Sequence, residues 1–455
     1  MSLASLLSIA RTALTTHQRA MAVTSHNIAN ATTPGYTRQR LELAAETPLY
    51  TPYGTVGRGV RGVAVFNARD QFLDAAFRRE QGNFSRAETL RSALARIEES
   101  LMEPGELGIG GALDGLWSAF SDLADAPTGS SARVAVRSAA SLLATRLRET
   151  SARFDTESIA VRREYDDTVS RINTLSREIA ELNKEISARG GPLNTAPDLE
   201  DMRDLRIDEL SSLIQVRVLP RDHGQVAVMG GDAMLVDGGV AQMLEVRPQG
   251  GGQIAVGAIG FTRLINNSGG KLQGLTELIN EGLPGVRSEL DRLANALVTA
   301  INAAHSAGYT GNGTTGVMLF DPAGVTADTI ALSADVLADV RNIAAGATAA
   351  SGDNTVALQI AAMRDTAFPG LNGDTPAGFL SGLVSSLAGI VRDVTQAAAS
   401  AEVLSAGIDA QRQSVHGVST DEEMIKLIQQ QQAFSAASRL VVIADEMMQD
   451  VLRMV

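Results

Sequence analysis

The 455-residue sequence contains no cysteine, so disulfides, thiolate metal sites and cysteine nucleophiles are excluded together. Aromatic residues make up only 4%, and Trp117 is the single tryptophan. A carbohydrate-binding or antibody-like module, which depends on aromatic contact faces, is therefore disfavoured. Basic residues are also scarce: 39 Lys and Arg against 52 Asp and Glu leave a formal charge of −13. No window carries the basic stripe of a nucleic-acid binder. Self-association of so acidic a chain has to rest on apolar seams, with salt screening the like charges beyond roughly 8 Å. No uninterrupted apolar run reaches the ~18 residues of a membrane span. The N-terminal segment places Arg11, His17 and Arg19 inside an amphipathic pattern, which is not a cleavable signal. Export would have to use a route that removes nothing.

What the chain does have is helical periodicity, beginning at its N-terminus. Leu7, Leu14, Met21 and Ile28 recur every seventh residue, interleaved with Leu3, Ala10, His17 and Thr24. Alternating steps of four and three place both series on one narrow stripe, the a/d seam of a coiled coil. The stripe stops at NIANATTPGYTRQ, where Pro34 lacks an amide donor and disfavours helix at Thr33, and Gly35 favours a turn. The last segment carries a second narrow seam: Leu427, Phe434, Val441, Met448 and Val455, with Ala437, Ala444 and Val451 interleaved. Ser419 with Glu422, and Thr420 with Glu423, fit the capping-box spacing at its start. Two such stripes at opposite ends predict that the chain runs out and back and that its end helices pair.

Between them lie three kinds of segment. Leu41 to Phe66 has short β character broken by prolines and glycines. Helical patterns follow over Arg69 to Ser100 (Phe72, Leu73, Ala76, Phe77, then Leu90, Leu94, Ile97), over Leu113 to Ala124, and from Ala132 onward. The longest heptad run, Tyr165, Ile172, Ile179, Ile186 with Val161, Thr168, Leu175 and Leu182, reads as a charge-laced, solvated arm of a bundle, closed by Arg189-Gly190-Gly191-Pro192. Alternation across Val226, Val228, Leu235 and Val236, continued at Met243 to Val246 and Ile254 to Val256, predicts hairpins in a small β domain. Helices resume from Gly274 toward His305, at Asp353 or Asn354 as N-cap, and from Phe379 to about Ser414.

Catalytic patterns are wanting. His17, His26, His223, His305 and His416 show no zinc-binding spacing. His17 falls on the first seam, where a polar residue can set register but an ordinary half-exposed histidine is the plainer reading. His305 precedes a glycine-rich turn and reads as a helix C-cap contact. Adjacent carboxylates such as Asp166-Asp167 diverge on a helix, and neither a GxSxG nor a P-loop pattern occurs. The GRGVRG stretch, Gly57 to Gly62, formally matches a dinucleotide fingerprint. It sits between extended segments instead of between a strand and a helix, so a glycine-bent β turn is the better reading. No cofactor and no metal are expected, and the protein is expected not to be an enzyme.

NIANATTPGYTRQ (Asn27 to Gln39) resembles the N-terminal signature of bacterial flagellar rod, hook and junction proteins. Its Tyr36-Thr37-Arg38-Gln39 ending, DLEDMRDLRIDEL, DRLANALVTAINAAHSAGYTGNG and GVSTDEEMIKLIQQQQAFSAASRLVVIADEMM are most similar to the hook-associated proteins of the hook–filament junction. The resemblance covers nearly the whole chain in matching order. It implies a structural axial protein that forms a ring of copies between hook and filament, in contact with the hook protein and the second hook–filament junction protein. It also implies export through the flagellar type III apparatus, an export chaperone holding the C-terminal helix, and a final location outside the cell at the hook–filament junction. Neither nucleic acid nor membrane is an expected partner. Longer members carry an extra outer domain where this chain has little between Phe320 and Gly352, so a single inserted β domain is expected.

The expected fold is mainly α with a β insertion (α+β). Residues 1–40 and 415–455 are expected to form a terminal coiled-coil core domain. Residues 41–215 and 267–414 form a mainly helical bundle domain with short β segments, and 216–266 a small inserted β domain. Assembly contacts are expected at Leu3, Leu7, Ala10, Leu14, Met21 and Ile28 of the first helix. Those of the last helix, which would also meet the chaperone, are Leu427, Phe434, Val441, Ala444, Met448, Val451 and Val455. Asn27, Asn30, Thr33, Pro34, Gly35, Tyr36, Arg38 and Gln39 form the loop that carries the resemblance. A hook or distal-rod component is the alternative, and a nucleotide-binding enzyme using Gly57 to Gly62 a remote one. Millimolar ATP, GTP or NAD should leave the melting temperature of the purified protein unchanged; a dose-dependent rise would revive the nucleotide reading.

Overall fold

A computed structural model of the chain describes residues 3–51, 54–101, 103, 105, 107–189 and 195–453. In chain order its elements are α1 (Leu3–Ala29), β1 (Gln39–Ala45), β2 (Leu49–Thr51), β3 (Gly54–Val56), β4 (Val60–Asn67), α2 (Gln71–Leu101), α3 (Ile109–Asp125), α4 (Ser130–Arg189) and α5 (Pro197–Leu213). Strands β5 (Val216–Pro220), β6 (Val226–Gly230), β7 (Ala233–Asp237), β8 (Val240–Ala241), β9 (Leu244–Pro248) and β10 (Ile254–Ala258) follow. Then come α6 (Gly270–Glu277), a π-turn at Leu278–Gly282, α7 (Leu283–Ala307), β11 (Tyr309–Thr310), α8 (Ala334–Ala338), β12 (Ala344–Gly346), α9 (Thr355–Ala361), α10 (Pro376–His416) and α11 (Thr420–Arg453). The fold is mainly helical with a β insertion, as the residue patterns predict.

The longest heptad run is part of α4, a single helix of 60 residues. It is a core helix and not a solvated arm. Val161, Tyr165, Ile172, Leu175, Ile179 and Ile186 are all buried, because α5, α6 and the β insertion pack along this one stripe. The charged positions between them stay outside, so the charge pattern was right about one face and silent about the other. The N-terminal half of α4 packs against α3, where Leu116, Trp117, Phe120 and Leu123 are buried. The Gly190-Gly191-Pro192 stop lies outside the described residues.

The insertion consists of a four-stranded antiparallel sheet, ordered β5-β6-β7-β8, and a β9–β10 hairpin. Its apolar side chains, among them Val228, Leu235, Val236 and Leu244, are continuous with the helical core. Two asparagines of α4 dock it. The Asn183 Nδ2 donates to the carbonyls of Val226 and Gly238 at 2.8 Å each, and its Oδ1 accepts from the Val226 amide at 3.2 Å. Asn173 donates to the Leu244 carbonyl at 2.9 Å and accepts from its amide at 2.7 Å. Strand groups that would otherwise be unpaired at a buried edge are thus satisfied by helix side chains.

The segment after α1 folds into two antiparallel pairs, β1–β4 and β2–β3. The GRGVRG glycines turn the chain between β3 and β4. Gly59 has φ +101°, and a Cβ there would lie 2.5 Å from the Thr12 Oγ1 on α1. That close approach of strand to helix is what requires glycine here.

Several local expectations change. Phe72 opens the α2 pattern yet is 87% exposed, since the end of α10 covers the other side of that first turn, where Asp74 meets Arg412. Asn354 precedes α9 but makes no side-chain cap; its Nδ2 donates to the Ala124 carbonyl, and Asp353 accepts from the Thr355 amide instead. One stretch within Pro376–Arg453 is, by length and composition, long and apolar enough to cross a membrane. Leucine, valine and isoleucine raise its average, and the glycines and serines between them break any long apolar run. In the fold its Phe379, Leu380 and Leu387 are buried, with α10 lying along α2.

His305 makes the C-cap contact through its carbonyl, which accepts from the Gly308 amide at 3.1 Å, while its side chain is a fully buried bridge. Its Nδ1 lies 2.8 Å from the Val317 carbonyl and its Nε2 accepts from the Ala344 amide at 3.0 Å. The ring is therefore neutral with its proton on Nδ1. Burial pushes its pKa down to about 4 from 6.5, against the opposing pull of the Val317 carbonyl. The unfolded chain takes up this proton first, so stability falls as pH drops from about 6.5 toward about 4. At ~1.4 kcal/mol per pH unit the gap corresponds to ~3 kcal/mol. The amide of a glutamine can donate and accept in the same sense without titrating. His305→Gln should therefore melt with a flatter pH dependence than the wild type between pH 6.5 and 4.5; parallel curves would show that His305 does not titrate in this way.

Candidate functional site: a polar clasp at the root of the terminal helices

Helices α1 and α11 pack together antiparallel along one another. His17 Nδ1 lies 2.7 Å from Gln430 Oε1, and Asn27 Nδ2 donates to Glu423 Oε2 at 2.9 Å. As positions rise along α1 they fall along α11, which sets the register. The residues fully buried on the seam are small or polar: Ala10, Thr24, Ala437 and Ala444. Leu3, Leu7, Leu14, Met21 and Ile28 are half-buried, as are Leu427, Phe434 and Val441. Met448 and Val451 remain 41% and 55% exposed, since the last turns of α11 extend past the described part of α1. Val455 lies outside the described residues.

The loop after α1 closes on this pair. Asn30 Nδ2 donates to the His26 carbonyl and Asn30 Oδ1 accepts from Thr33 Oγ1, holding the chain as the helix ends. Thr33, Pro34 and Gly35 are exposed, and Gly35 adopts φ +78° over Leu205 of α5. Tyr36 turns back inward. Its hydroxyl donates to Asn27 Oδ1 at 2.8 Å and lies 3.2 Å from His26 Nδ1. Burial, reinforced by the nearby Asp198, Asp201 and Glu423, drives its pKa far above the usual tyrosine range. Asn27 is fully used: besides Tyr36 and Glu423 it exchanges two hydrogen bonds with the Gln39 backbone, at 2.9 and 3.0 Å.

Arg38 joins the loop to α11. Its Nε donates to Glu423 Oε1 at 2.9 Å and its Nη2 to Glu422 Oε2 at 3.0 Å, while its amide donates to the His416 carbonyl at the end of α10. Ser419 accepts weakly from the Glu422 amide, at 3.4 Å. The glutamates expected to complete capping boxes are drawn off to Arg38, because a guanidinium in a nearly dry site outcompetes a backbone amide for a carboxylate. The Glu423 side chain is 2% exposed and Glu422 61%, so the first pair carries the interaction.

The other half of the clasp is α5. In DLEDMRDLRIDEL, Asp198, Asp201, Asp204 and Asp208 stand three, three and four residues apart, on one face. Each meets a different stretch of chain. Asp198 accepts from Gln39 Nε2 at 2.7 Å. Asp201 accepts from the Thr37 amide and from Asn67 Nδ2. Asp204 pairs with Arg69 and Arg78, and Asp208 with Arg78 and with Arg412 of α10, the last at 2.7 Å. Burial raises Asp201 to about 6, although the Thr37 amide and Arg69 pull it back. Asp208 is buried too, but the opposing charges of Arg78 and Arg412 prevail and hold it below the usual carboxylate range. His416 Nε2 accepts from the Asp70 amide at 3.0 Å, and burial keeps this imidazole below its ordinary pKa in spite of Asp74.

Sequence reasoning found the loop and both seams but missed this acidic stripe and its partners Arg69, Arg78 and Arg412. The three-three-four spacing of four aspartates was the available signal. Among the described residues no group of three or more His, Asp or Glu could hold a metal ion. The clasp is built for attachment: it ties two terminal helices, a β pair and two body helices at one point.

Comparison with known proteins identifies what this architecture belongs to. The model for the flagellar hook-associated protein FlgK helical domain matches residues 94–320. The flagella basal body rod protein model matches residues 7–37, and the basal body rod FlgEFG protein C-terminal model residues 408–454. Flagellar hook-associated protein 1 of Bacillus subtilis is 29% identical over 497 aligned positions, covering 98% of this chain and 97% of that protein. The protein of that name from Salmonella typhimurium is 28% identical over 330 positions, covering 70% of this chain and 59% of its own length. The flagellar hook junction protein FlgK from Burkholderia pseudomallei has the same fold, with a TM-score of 0.65, 15% identity, and coverage of 75% of this chain and all of that one. Rod-type ends around a long-helix body define a structural protein of the flagellar axis. The chain belongs to the flagellar hook-associated protein 1 family, the hook–filament junction proteins.

The clasp predicts unequal roles for its two ion pairs. Arg38→Ala leaves Glu423 buried with Lys426 and Asn27, and should cost ~1.5–3 kcal/mol in denaturant unfolding. Amide exchange should quicken across residues 27–40 and 420–430. Glu422→Gln should stay within about 0.5 kcal/mol. Equal effects of the two substitutions would remove Arg38–Glu423 from its central place.

Proposed function

We propose that the protein forms the junction between hook and filament by self-assembly, a ring of copies held through the terminal helices. The observation that carries this reading is the incompletely covered helix pair. Its large apolar residues are half-buried within one chain, and α11 further exposes Leu440, Ile443, Met447, Val451 and Leu452. A helix apolar on more than its seam is stable in water only when something else covers it. Neighbouring copies would do so, and assembly would then order the ends by mass action.

On this reading residues 1–40 and 415–455 are the core domain of the axial structure, 41–215 and 267–414 the helical body, and 216–266 a small β domain on it. The clasp is the joint that transmits load from core to body. The hook protein lies on one side of the ring and the second hook–filament junction protein on the other. Before assembly an export chaperone covers the seam of α11, and the chain leaves through the type III apparatus to its place on the cell exterior. The role is structural, with neither catalysis nor cofactor. The ends alone would equally suit a hook or distal-rod component, since their segments match rod-protein models. The FlgK helical-domain match over 94–320 favours the junction.

A strain lacking the protein should carry hooks without filaments and shed flagellin into the medium. Complementation with Leu14→Asp should leave that defect in place, although the purified variant keeps a normal cooperative melt of its body. Filaments on the deletion strain, or full rescue by Leu14→Asp, would refute the junction role or the seam respectively.

A further inference from the structure

We propose that His416 is an acid-sensitive latch: a proton gained on its Nε2 unseats the ring from the head of α2 and frees the turn between α10 and α11. His416 is the last residue of α10, and only Gly417, Val418 and Ser419 separate it from α11. Its side chain is 8% exposed. The ring Nε2 accepts from the Asp70 amide at 3.0 Å. The residue's own carbonyl accepts from the Arg38 amide at 2.8 Å. One residue thus ties the end of α10 to the head of α2 and to the loop that follows α1.

The donor on Nε2 is a backbone N–H, which cannot turn its proton away as a hydroxyl can. Nε2 is therefore bare, and the neutral ring carries its proton on Nδ1. A protonated imidazole has two donors and no acceptor. The ring N–H would then point at the amide N–H, and the Asp70 amide would lose its acceptor in a nearly dry site. The Asp70 carboxylate cannot take over, because its Oδ1 already caps the Phe72 and Leu73 amides at 2.8 and 3.3 Å.

The surrounding charges do not hold a proton on the ring. Burial, aided by Arg69 and Arg412, outweighs the pull of Asp74 and Asp208 and keeps the imidazole below its ordinary 6.5. Asp74 Oδ1 is 3.9 Å from Nδ1, beyond hydrogen-bond reach, and meets Arg412 Nε at 3.0 Å instead. The other charges nearby are engaged with one another: Asp204 with Arg69 and Arg78, Asp208 with Arg78 and Arg412, and Arg38 with Glu422 and Glu423. An unseated ring takes up its proton before a seated one. The latch is therefore at full strength above about pH 6.5 and weakens as pH falls below it. Asp201 acts in the opposite sense: raised to about 6 by burial, it favours the closed neck as pH falls through that value. Acid thus loosens the neck at one point while firming it at another.

The test is hydrogen exchange at the Asp70, Arg38 and Gly417 amides of the full-length chain. Wild type and His416→Gln are compared at pH 7.5 and 5.5, with the intrinsic pH dependence of exchange divided out. The glutamine carbonyl can accept from the Asp70 amide without titrating, and both proteins keep Asp201 and His305, whose effects cancel in the ratio. At pH 7.5 the two should exchange alike within about twofold. At pH 5.5, about one unit below the ordinary imidazole pKa, the wild type should exchange about tenfold faster than the variant. Wild type with 15N-labelled histidine gives a second readout that does not depend on the glutamine: His416 should show a bare Nε2 at pH 7.5 and titrate below 6.5, in step with exchange at Asp70. If His416→Gln already loosens the neck at pH 7.5, this titration decides alone. A wild-type-to-variant ratio equal at both pH values, or a His416 that titrates at or above 6.5, would overturn the latch.

Discussion

Four aspartates on one face of α5 set a condition that the rest of the neck has to meet. Carboxylates at three- and four-residue spacing repel one another on an isolated helix. Asp201, Asp204 and Asp208, taken wholly or largely out of water, also need a charge or a donor each. The partners come from places far apart in the chain: Gln39 and the Thr37 amide from the loop, Asn67 and Arg69 from the end of the hairpin, Arg78 from α2, and Arg412 from α10. The stripe is neutralised only when all of these have arrived. The joint between terminal helices and body is therefore assembled as one unit.

The contrast between Asp201 and Asp208 shows how the condition is met unequally. Both are buried, and burial alone would raise both. Asp208 faces Arg78 and Arg412 at hydrogen-bond distance and stays strongly acidic. Asp201 has amide donors and only a more distant Arg69, at 4.0 Å, so burial prevails and its pKa rises to about 6. A joint of this kind holds most firmly where guanidinium forks meet carboxylates and less firmly where it relies on neutral donors.

Beyond the joint, the α1–α11 pair is held differently from the body. The body buries whole leucine, isoleucine and aromatic side chains along α3, α4 and α7. The terminal pair fully buries only alanines and polar residues, and its larger apolar side chains remain partly in water. Small residues let two helices approach closely but remove little apolar area, at about 25 cal/mol per Å². Polar ties such as His17–Gln430 and Asn27–Glu423 fix the register without adding much stability. Such a pair is specific in alignment and weak in isolation, which suits an element that gains its stability from further contacts.

Periodicity alone determined the helices, their long stripes and the out-and-back path of the chain, because an apolar repeat of three and four residues has one stable local solution. It also placed the β insertion and marked the loop at Asn27 to Gln39. It could not tell which stripes would be fully covered: the α4 heptads lie in the core and the α11 heptads half outside, although the two patterns look alike. Nor could it say where charged groups would go. The capping glutamates of α11 serve Arg38, His305 bridges two backbone segments, and Gly59 makes room for Thr12. Each of these outcomes depends on residues tens to hundreds of positions away. Local propensity is read within a few turns of chain, whereas a buried charge or a close contact is decided by whatever the tertiary fold brings to face it.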